Sequence, residues 1–398
     1  MQIQTQSPSF KIGDLTINRE NWDTGPHNRW AYRNIDKLVN VKTIATDHSK
    51  FHIFRRGEKQ LDRFQFHSSD GTKFGLDEYL EHSFCDGFLV LHRGEIILEN
   101  YYNGMQENEL HLSQSVCKSV TGILVGILVD EGILDTSKTA ADYVPDLDGC
   151  VYGEVTLKNL LNMSSGVSYT EDYSNPSREY LLLEQCAGWN DRHIENAPKS
   201  FHAYLKSIGY HCPQGTEIFN YRSIDTDILA WVCEEATRQP FNILLSTYIW
   251  KKLACDFDAQ IKTDHLGAAT ASGGLNASLR DYGRFGQMII NNGTFNNQKI
   301  VSENWISSSL QGHPDAFRLG YPAFSKTYPN GTYSNQWWVL DSEDGIQAAI
   351  GIHGQFIYID RSADIVVVKL STWPEANNHL LETSDLKLFH DLGTYLNS

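Results

Sequence analysis

A chain of 398 residues with 41% hydrophobic content can bury a large core, as one large domain or two closely joined ones. Its formal net charge of −16 makes nucleic acid and anionic membrane surfaces poor partners, and no run of 18 or more residues is uniformly apolar. The seven cysteines (Cys85, Cys117, Cys150, Cys186, Cys212, Cys233 and Cys255) form no C-x-x-C pair and are odd in number, which argues against a disulfide framework or a thiolate zinc site; with no export signal in residues 1–18, a cytoplasmic protein is expected.

Residues 1–75 are polar and irregular, punctuated by Pro8, Gly13, Gly25 and Pro26, and read as an arm laid over a core. His48 and His52 have the spacing of helical metal ligands, but the Glu of H-E-x-x-H and a third ligand are missing, so neither metal nor cofactor is expected. A short helix over 77–84 precedes two β-rich runs, 87–92 and 95–102, which Arg93-Gly94 splits into a predicted hairpin. The apolar series after Ser115 (Val116, Val120, Ile123, Leu124, Val125, Ile127, Leu128, Val129) predicts a buried helix with that serine at its N-terminus. Residues 155–163 read as a Thr-capped short helix, and 167–210 as an inserted, largely helical region lining a cleft. Helical spacing returns over 224–237, 241–253 and 278–290, strands over 347–359 and 365–370, and a helix closes the chain at 380–396. Strands at both ends with helices between them predict an α+β fold: an antiparallel sheet whose first and last strands pair, flanked by terminal helices, with a mainly helical region inserted. The expected division is an arm (1–75), a sheet-bearing region (76–148 and 265–398) and a helical region (149–264), together forming one unit with a cleft between its parts.

At about 100° per residue, positions i and i+3 share a helix face, so Ser115 and Lys118 face each other while Cys117 looks away. A hydroxyl is a poor nucleophile until a base takes its proton, and a lysine amine can do so in its neutral form. The helix N-terminus adds backbone N–H groups that favour a developing oxyanion. The same four residues read equally as a polar N-cap followed by a surface lysine. Acyl transfer also needs a proton carrier beside the leaving group and a second oxyanion donor. Tyr221, just before the predicted helix and after Gly215-Thr216-Glu217, suits the first need. The small residues of 350–355, around Gly351 and Gly354, suit the second by letting substrate approach the backbone.

Ser115-x-x-Lys118, Tyr221-x-Ser223 and a Gly-bearing strand near the C-terminus resemble the three motifs of the serine β-lactamase and penicillin-binding-protein superfamily, in its class C-like branch. Longer strings, among them Pro26-His27-Asn28-Arg29-Trp30-Ala31, Glu171-Asp172-Tyr173, Ala187-Gly188-Trp189, Gln336-Trp337-Trp338 and Gly351-Ile352-His353-Gly354-Gln355, are similar to the 6-aminohexanoate-dimer hydrolase family. The resemblance implies a β-lactamase-like fold and a serine hydrolase that forms an acyl-enzyme. Ser115 would be the nucleophile, Lys118 its base and Tyr221 the donor to the leaving group, with the N–H groups of Ser115 and Ile352 as oxyanion hole. It further implies that Tyr173 hydrogen-bonds the substrate, that Trp337 closes over it, and that Glu184, Ser272 and Asn377 lie around the cleft. The motifs also depart from the superfamily: Ser223 stands where Asn is usual, and Ala349-Ile350-Gly351 where Lys-Thr-Gly receives a β-lactam's carboxylate. Carboxyl esters and linear amides are therefore expected as small-molecule substrates ahead of β-lactams or D-amino-acid peptides. A non-catalytic binding protein on the same fold is the rival from another class, and a homodimer is left open.

Overall fold

The computed structural model describes residues 8–58, 61, 63–209 and 218–398. Strands β1 (Cys85–His92) and β2 (Glu95–Tyr101) form the expected hairpin around Arg93-Gly94, where φ is 52° and 76°. That left-handed pair matches the right-handed twist of the strands it joins. After a long excursion the chain returns as β3 (Thr332–Ser334), β4 (Trp337–Asp341), β5 (Ile346–Gly351), β6 (Gln355–Asp360) and β7 (Ile365–Ser371). All seven pair antiparallel in the order β3-β4-β5-β6-β7-β1-β2, so the first strand lies against the last as expected.

Three long helices pack on this sheet, α1 (Val116–Asp130), α3 (Leu279–Ile290) and α4 (His379–Asn397), and a fourth, α2 (Ser223–Thr237), packs on α1. The run Ile365-Val366-Val367-Val368 shows no polar alternation because both faces of the sheet are covered. The strand period of two then divides the core. Val366 and Val368 join Leu89, Leu91 and α3's Phe285 and Met288 on one face; Ile365 and Val367 join Phe88, Val90 and α4's Leu388 and Phe389 on the other. A Cβ on Gly286 of α3 would stand 2.5 Å from Val366 Cγ1, so glycine sets how closely that helix approaches. On the α4 side, Lys369 of β7 donates to Asp385 across 2.6 Å, with both side chains fully buried.

A smaller antiparallel sheet joins, in order, Val41–Ile44, Ala259–Lys262, Leu275–Ala277 and His111–Leu112. Its short strands give too few alternations for a period to show in the sequence. The arm is thus in part a member of this sheet. Likewise a strand, Ala259–Lys262, stands inside the 149–264 bounds drawn for the helical region. That region otherwise holds Leu157–Leu161, capped by Thr156, then Arg178–Ala187, Phe201–Ser207, α2 and Phe241–Leu245. The arm docks through Trp22 stacked on Trp189 (5.2 Å between centroids), Asn28 donating to the Trp373 carbonyl (2.7 Å) and Tyr32 accepting from Gln114 (2.8 Å). No helix among the described residues is long and apolar enough to cross a membrane.

Candidate active site

The small sheet delivers the serine. Ser113, one residue past Leu112, donates both its N–H (2.9 Å) and its hydroxyl (3.0 Å) to the Leu275 carbonyl, which sets Ser113–Ser115 beside Ser272 and Gly273. Gln114 takes φ 49°, a left-handed conformation costly for a residue with a Cβ, immediately before the helix begins. Ser115 occupies the N-cap position of α1, yet its hydroxyl makes no capping bond. It accepts instead from Lys118 Nζ at 2.8 Å. This separates the two readings of the motif: the serine is not a side-chain cap, and the lysine, 2% exposed, is not a surface residue. Lys118 Nζ also donates to the Ser272 carbonyl (2.7 Å) and lies 5.0 Å from the centre of the Tyr221 ring. Cys117 points into the core, where burial pushes its thiol up to about 12.

Strand β5 ends against the serine. A Cβ on Gly351 would fall 2.6 Å from the Ser113 carbonyl and 3.1 Å from Ser115 N, so only glycine permits this approach. The next residue, Ile352, opens a tight turn through His353 (φ 61°) and Gly354 (φ 83°) that Trp373 backs, its carbonyl bonded to His353 Nδ1 at 2.7 Å. Burial holds His353 down at about 4, so the ring is neutral near pH 7. Neither the Ser115 nor the Ile352 N–H is taken up by another described residue.

Tyr221 sits two residues before α2; Gly215, Thr216 and Glu217, read as its lead-in, lie outside the described residues. Its ring stacks on Trp338 (5.5 Å, 23°). Burial raises its pKa, opposed by the charge of Lys118 and by hydrogen bonding from Ser115 and Lys118. The loop's far side is fixed by Glu171, which the sequence shows only as part of the Glu171-Asp172-Tyr173 string and without a role of its own. Glu171 accepts from the Ser223 N–H (2.6 Å), the Ser223 hydroxyl (2.6 Å) and the Tyr173 hydroxyl. Where the superfamily has Asn, this chain has a hydroxyl committed to a carboxylate.

Ser115, Tyr173, Tyr221 and Ile352 line one cleft of ≈ 360 Å³, with Asn377 on its rim. A smaller recess of ≈ 60 Å³ opens from the same serine toward Glu184, Ser272 and Asp23. Glu184 accepts from Asn190 (2.8 Å) and lies 3.9 Å from Arg192; burial, then the Asp23 charge, lift it to about 7. Ser272 serves through its backbone: its carbonyl holds Lys118, and its N–H donates to Asp227 Oδ1 at 3.0 Å. Burial outweighs the Ser272 bonds and the Lys118 charge at Asp227, lifting it to about 7.

One expectation is corrected. Trp337 is fully buried on the α3 face, stacked on Phe285 (6.1 Å, 6°), and does not reach the cleft. Adjacent strand residues face opposite ways, so Trp338 presents its indole there, beside Tyr221 and Ile350. Among the described residues no group of three His, Cys, Asp or Glu side chains is placed to hold a metal ion.

Residues 78–389 match the Beta-lactamase family model. The chain is 34% identical over 374 residues to a 6-aminohexanoate-dimer hydrolase of Paenarthrobacter ureafaciens, covering 94% of this chain and 92% of that one. A solved structure from Bacillus anthracis, assigned by inference as a 6-aminohexanoate-dimer hydrolase, superposes with a TM-score of 0.88 at 27% identity, covering 96% and 97% of the two chains. The hydrolase EstCE1, with promiscuous acyltransferase activity, shares the fold at a TM-score of 0.61 and 14% identity, over 78% of this chain and 96% of its own. With the family match spanning most of the chain, the protein belongs to the β-lactamase family, as a hydrolase related to the 6-aminohexanoate-dimer hydrolases.

Proposed function

We propose that the cleft hydrolyses carboxyl esters and linear amides through an acyl-enzyme on Ser115. The observation that carries this is the 2.8 Å contact of a buried lysine amine with an uncapped serine hydroxyl, at a helix N-terminus against which a Gly351 strand end is packed. Lys118 takes the Ser115 proton as Oγ attacks the carbonyl carbon, and the oxyanion is received by the N–H groups of Ser115 and Ile352. As the intermediate collapses, Tyr221 gives a proton to the departing oxygen or nitrogen. Water then attacks the acyl carbon, one proton returns through Lys118 and Tyr221, and the acid leaves as Ser115 is restored.

Ala349 and Ile350 offer no cation or hydroxyl to a β-lactam's carboxylate, and Ser223 is engaged by Glu171, which supports esters and linear amides over β-lactams. The 6-aminohexanoate-dimer hydrolase likeness brings amides of linear ω-amino acids into that range. Tyr173, with its hydroxyl on Glu171, and Ser272 and Glu184 beside the serine are the proposed substrate contacts.

The test is mass spectrometry of protein quenched during turnover of p-nitrophenyl butyrate, alongside rates on a D-alanyl peptide and nitrocefin. A butyryl adduct on the Ser115 peptide, absent from a folded Ser115→Ala protein that has lost turnover, is the expected result. Full turnover by Ser115→Ala, or an adduct elsewhere, overturns the assignment. An intact protein without turnover of any of these substrates would point to the binding-protein reading.

A further inference from the structure

Ser115 opens onto two recesses that share Glu171, Tyr173 and Ile352, but Tyr221 lines only the larger. On the reading above, Tyr221 protonates the departing group, so the larger recess receives the leaving group and the smaller one the acyl chain. Tyr321, Phe324 and Trp338 wall the larger recess, and among them stands a carboxylate, Glu382. The negative charge of Glu382 is felt at Tyr321 and Tyr328, whose pKa values burial has already raised.

Asp23, Glu171, Asp172, Glu184 and Glu382 line these recesses, and Glu171 is taken up by Ser223 and Tyr173 while Asp172 accepts from the Ser174 and Asn175 N–H groups. Glu184 already has an amide donor and a guanidinium. Glu382, partly buried in the first turn of α4, has no ion pair and no side-chain hydrogen bond among the described residues. Asp385, whose charge Glu382 feels, is itself paired with Lys369 at 2.6 Å. Burial and then the Asp385 charge push Glu382 up to about 7, as expected of a carboxylate short of a countercharge.

Resting on the proposed direction of cleavage, we infer that Glu382 selects the leaving group: amides and esters whose departing portion carries an ammonium, such as acylated diamines, are favoured over those that end in a carboxylate. An ammonium supplies the missing countercharge and meets aromatic faces that attract cations, whereas a terminal carboxylate meets like charge in a partly desolvated recess. This sets the chain apart from a hydrolase suited to a linear amino-acid dimer, whose leaving amine ends in a carboxylate. In each case hydrolysis breaks the acyl C–N or C–O bond, water supplies the new acyl oxygen, and the amine or alcohol leaves with a proton.

The experiment compares kcat/KM for three amides with one acyl group, butyryl, on 1,6-diaminohexane, hexylamine and 6-aminohexanoate. The expected wild-type order is ammonium, neutral, carboxylate. Glu382→Gln should lower the first by roughly tenfold, the scale of one lost charged hydrogen bond, raise the last, and leave the hexylamide nearly unchanged. Unchanged ratios in Glu382→Gln, or a wild-type preference for the carboxylate, overturn the inference. Calorimetry on the folded Ser115→Ala protein gives a readout that needs no turnover: hexylammonium should bind about tenfold more tightly than hexanoate, and equal binding also overturns it. Retained turnover in Ser115→Ala would sink the nucleophile assignment alone and leave this binding comparison standing.

Discussion

Two buried lysines of this molecule are held in different ways, and on the proposed mechanism that difference separates a structural cation from a reactive one. Lys369, on β7, faces a single carboxylate, Asp385, across 2.6 Å, with both side chains out of solvent. Lys118, one turn into α1, is equally hidden, yet it touches a hydroxyl and a carbonyl and makes no ion pair among the described residues. The carboxyl that senses its charge, Asp227, is turned to the Ser272 N–H. A buried amine locked to a carboxylate has its proton fixed by Coulomb attraction, which suits a core clamp. An amine held by neutral acceptors keeps its position through geometry, the arrangement that the proposed role of Lys118 at Ser115 calls for.

The comparison is broken most directly by exchanging each lysine for methionine. Lys118→Met should cut kcat/KM on a p-nitrophenyl ester by ~10²–10⁴, the range of a lost general base, and shift stability by no more than about 1 kcal/mol. Lys369→Met should do the reverse: kcat holds while the protein is folded, but Asp385 is stranded and unfolding eases by about 3–5 kcal/mol. Adding Asp385→Leu should regain most of that loss. Denaturant titration and initial rates on the same samples measure both. Equal destabilisation by the two single changes would mean that Lys118 too is a clamp.

Tyr221→Phe sharpens the chemical half. An alkoxide departs with little help, whereas an amine must be protonated as the C–N bond breaks, so a lost donor weighs more on amides. The ring and its stacking on Trp338 remain. The expected result is a loss of ~10²-fold on an amide and clearly less on the p-nitrophenyl ester of the same acyl group. An equal loss on both would assign Tyr221 to an earlier step, beside Lys118.

What the sequence could and could not disclose follows from element length and from distance along the chain. The hairpin β1–β2 and the helices α1 to α4 carry enough periods to be read, and Ser115 with Lys118 is a local pattern that one helix turn fixes. The His111–Leu112 and Leu275–Ala277 strands, which bring Ser115 to Ser272, are two and three residues long and carry no legible period. Trp337 and Trp338 differ by one register step; which one faces the cleft depends on β4's pairing with β5, set where Trp338 opposes Ala348. Glu171 meets Ser223 across 52 positions of chain, and Glu382 lies in an unremarkable helix turn until the fold closes Tyr321 and Trp338 around it. Their chemistry lies in the pairing, which no local string shows.

The smallest expected effect concerns Asp227, the carboxyl that feels the Lys118 charge. Its folded pKa stands at about 7 against the ordinary carboxyl value of 3.8, because burial penalises the charge more than Ser272 and Lys118 relieve it. As pH rises from about 4 to about 7 the unfolded chain ionises this group while the folded one keeps its proton, so the unfolded state binds fewer protons and stability falls; above about 7 both are ionised and the slope from this group ends. Asp227→Asn retains a side-chain oxygen for the Ser272 N–H and removes the titration. Between pH 4 and 7 the variant's Tm should therefore fall less steeply than the wild type's, by a few degrees over the window on the scale of ~1–2 kcal/mol. A steeper fall in Asp227→Asn would show that the carboxylate is favoured in the folded protein, making it an ion-pair partner of Lys118 and erasing the distinction between the two lysines.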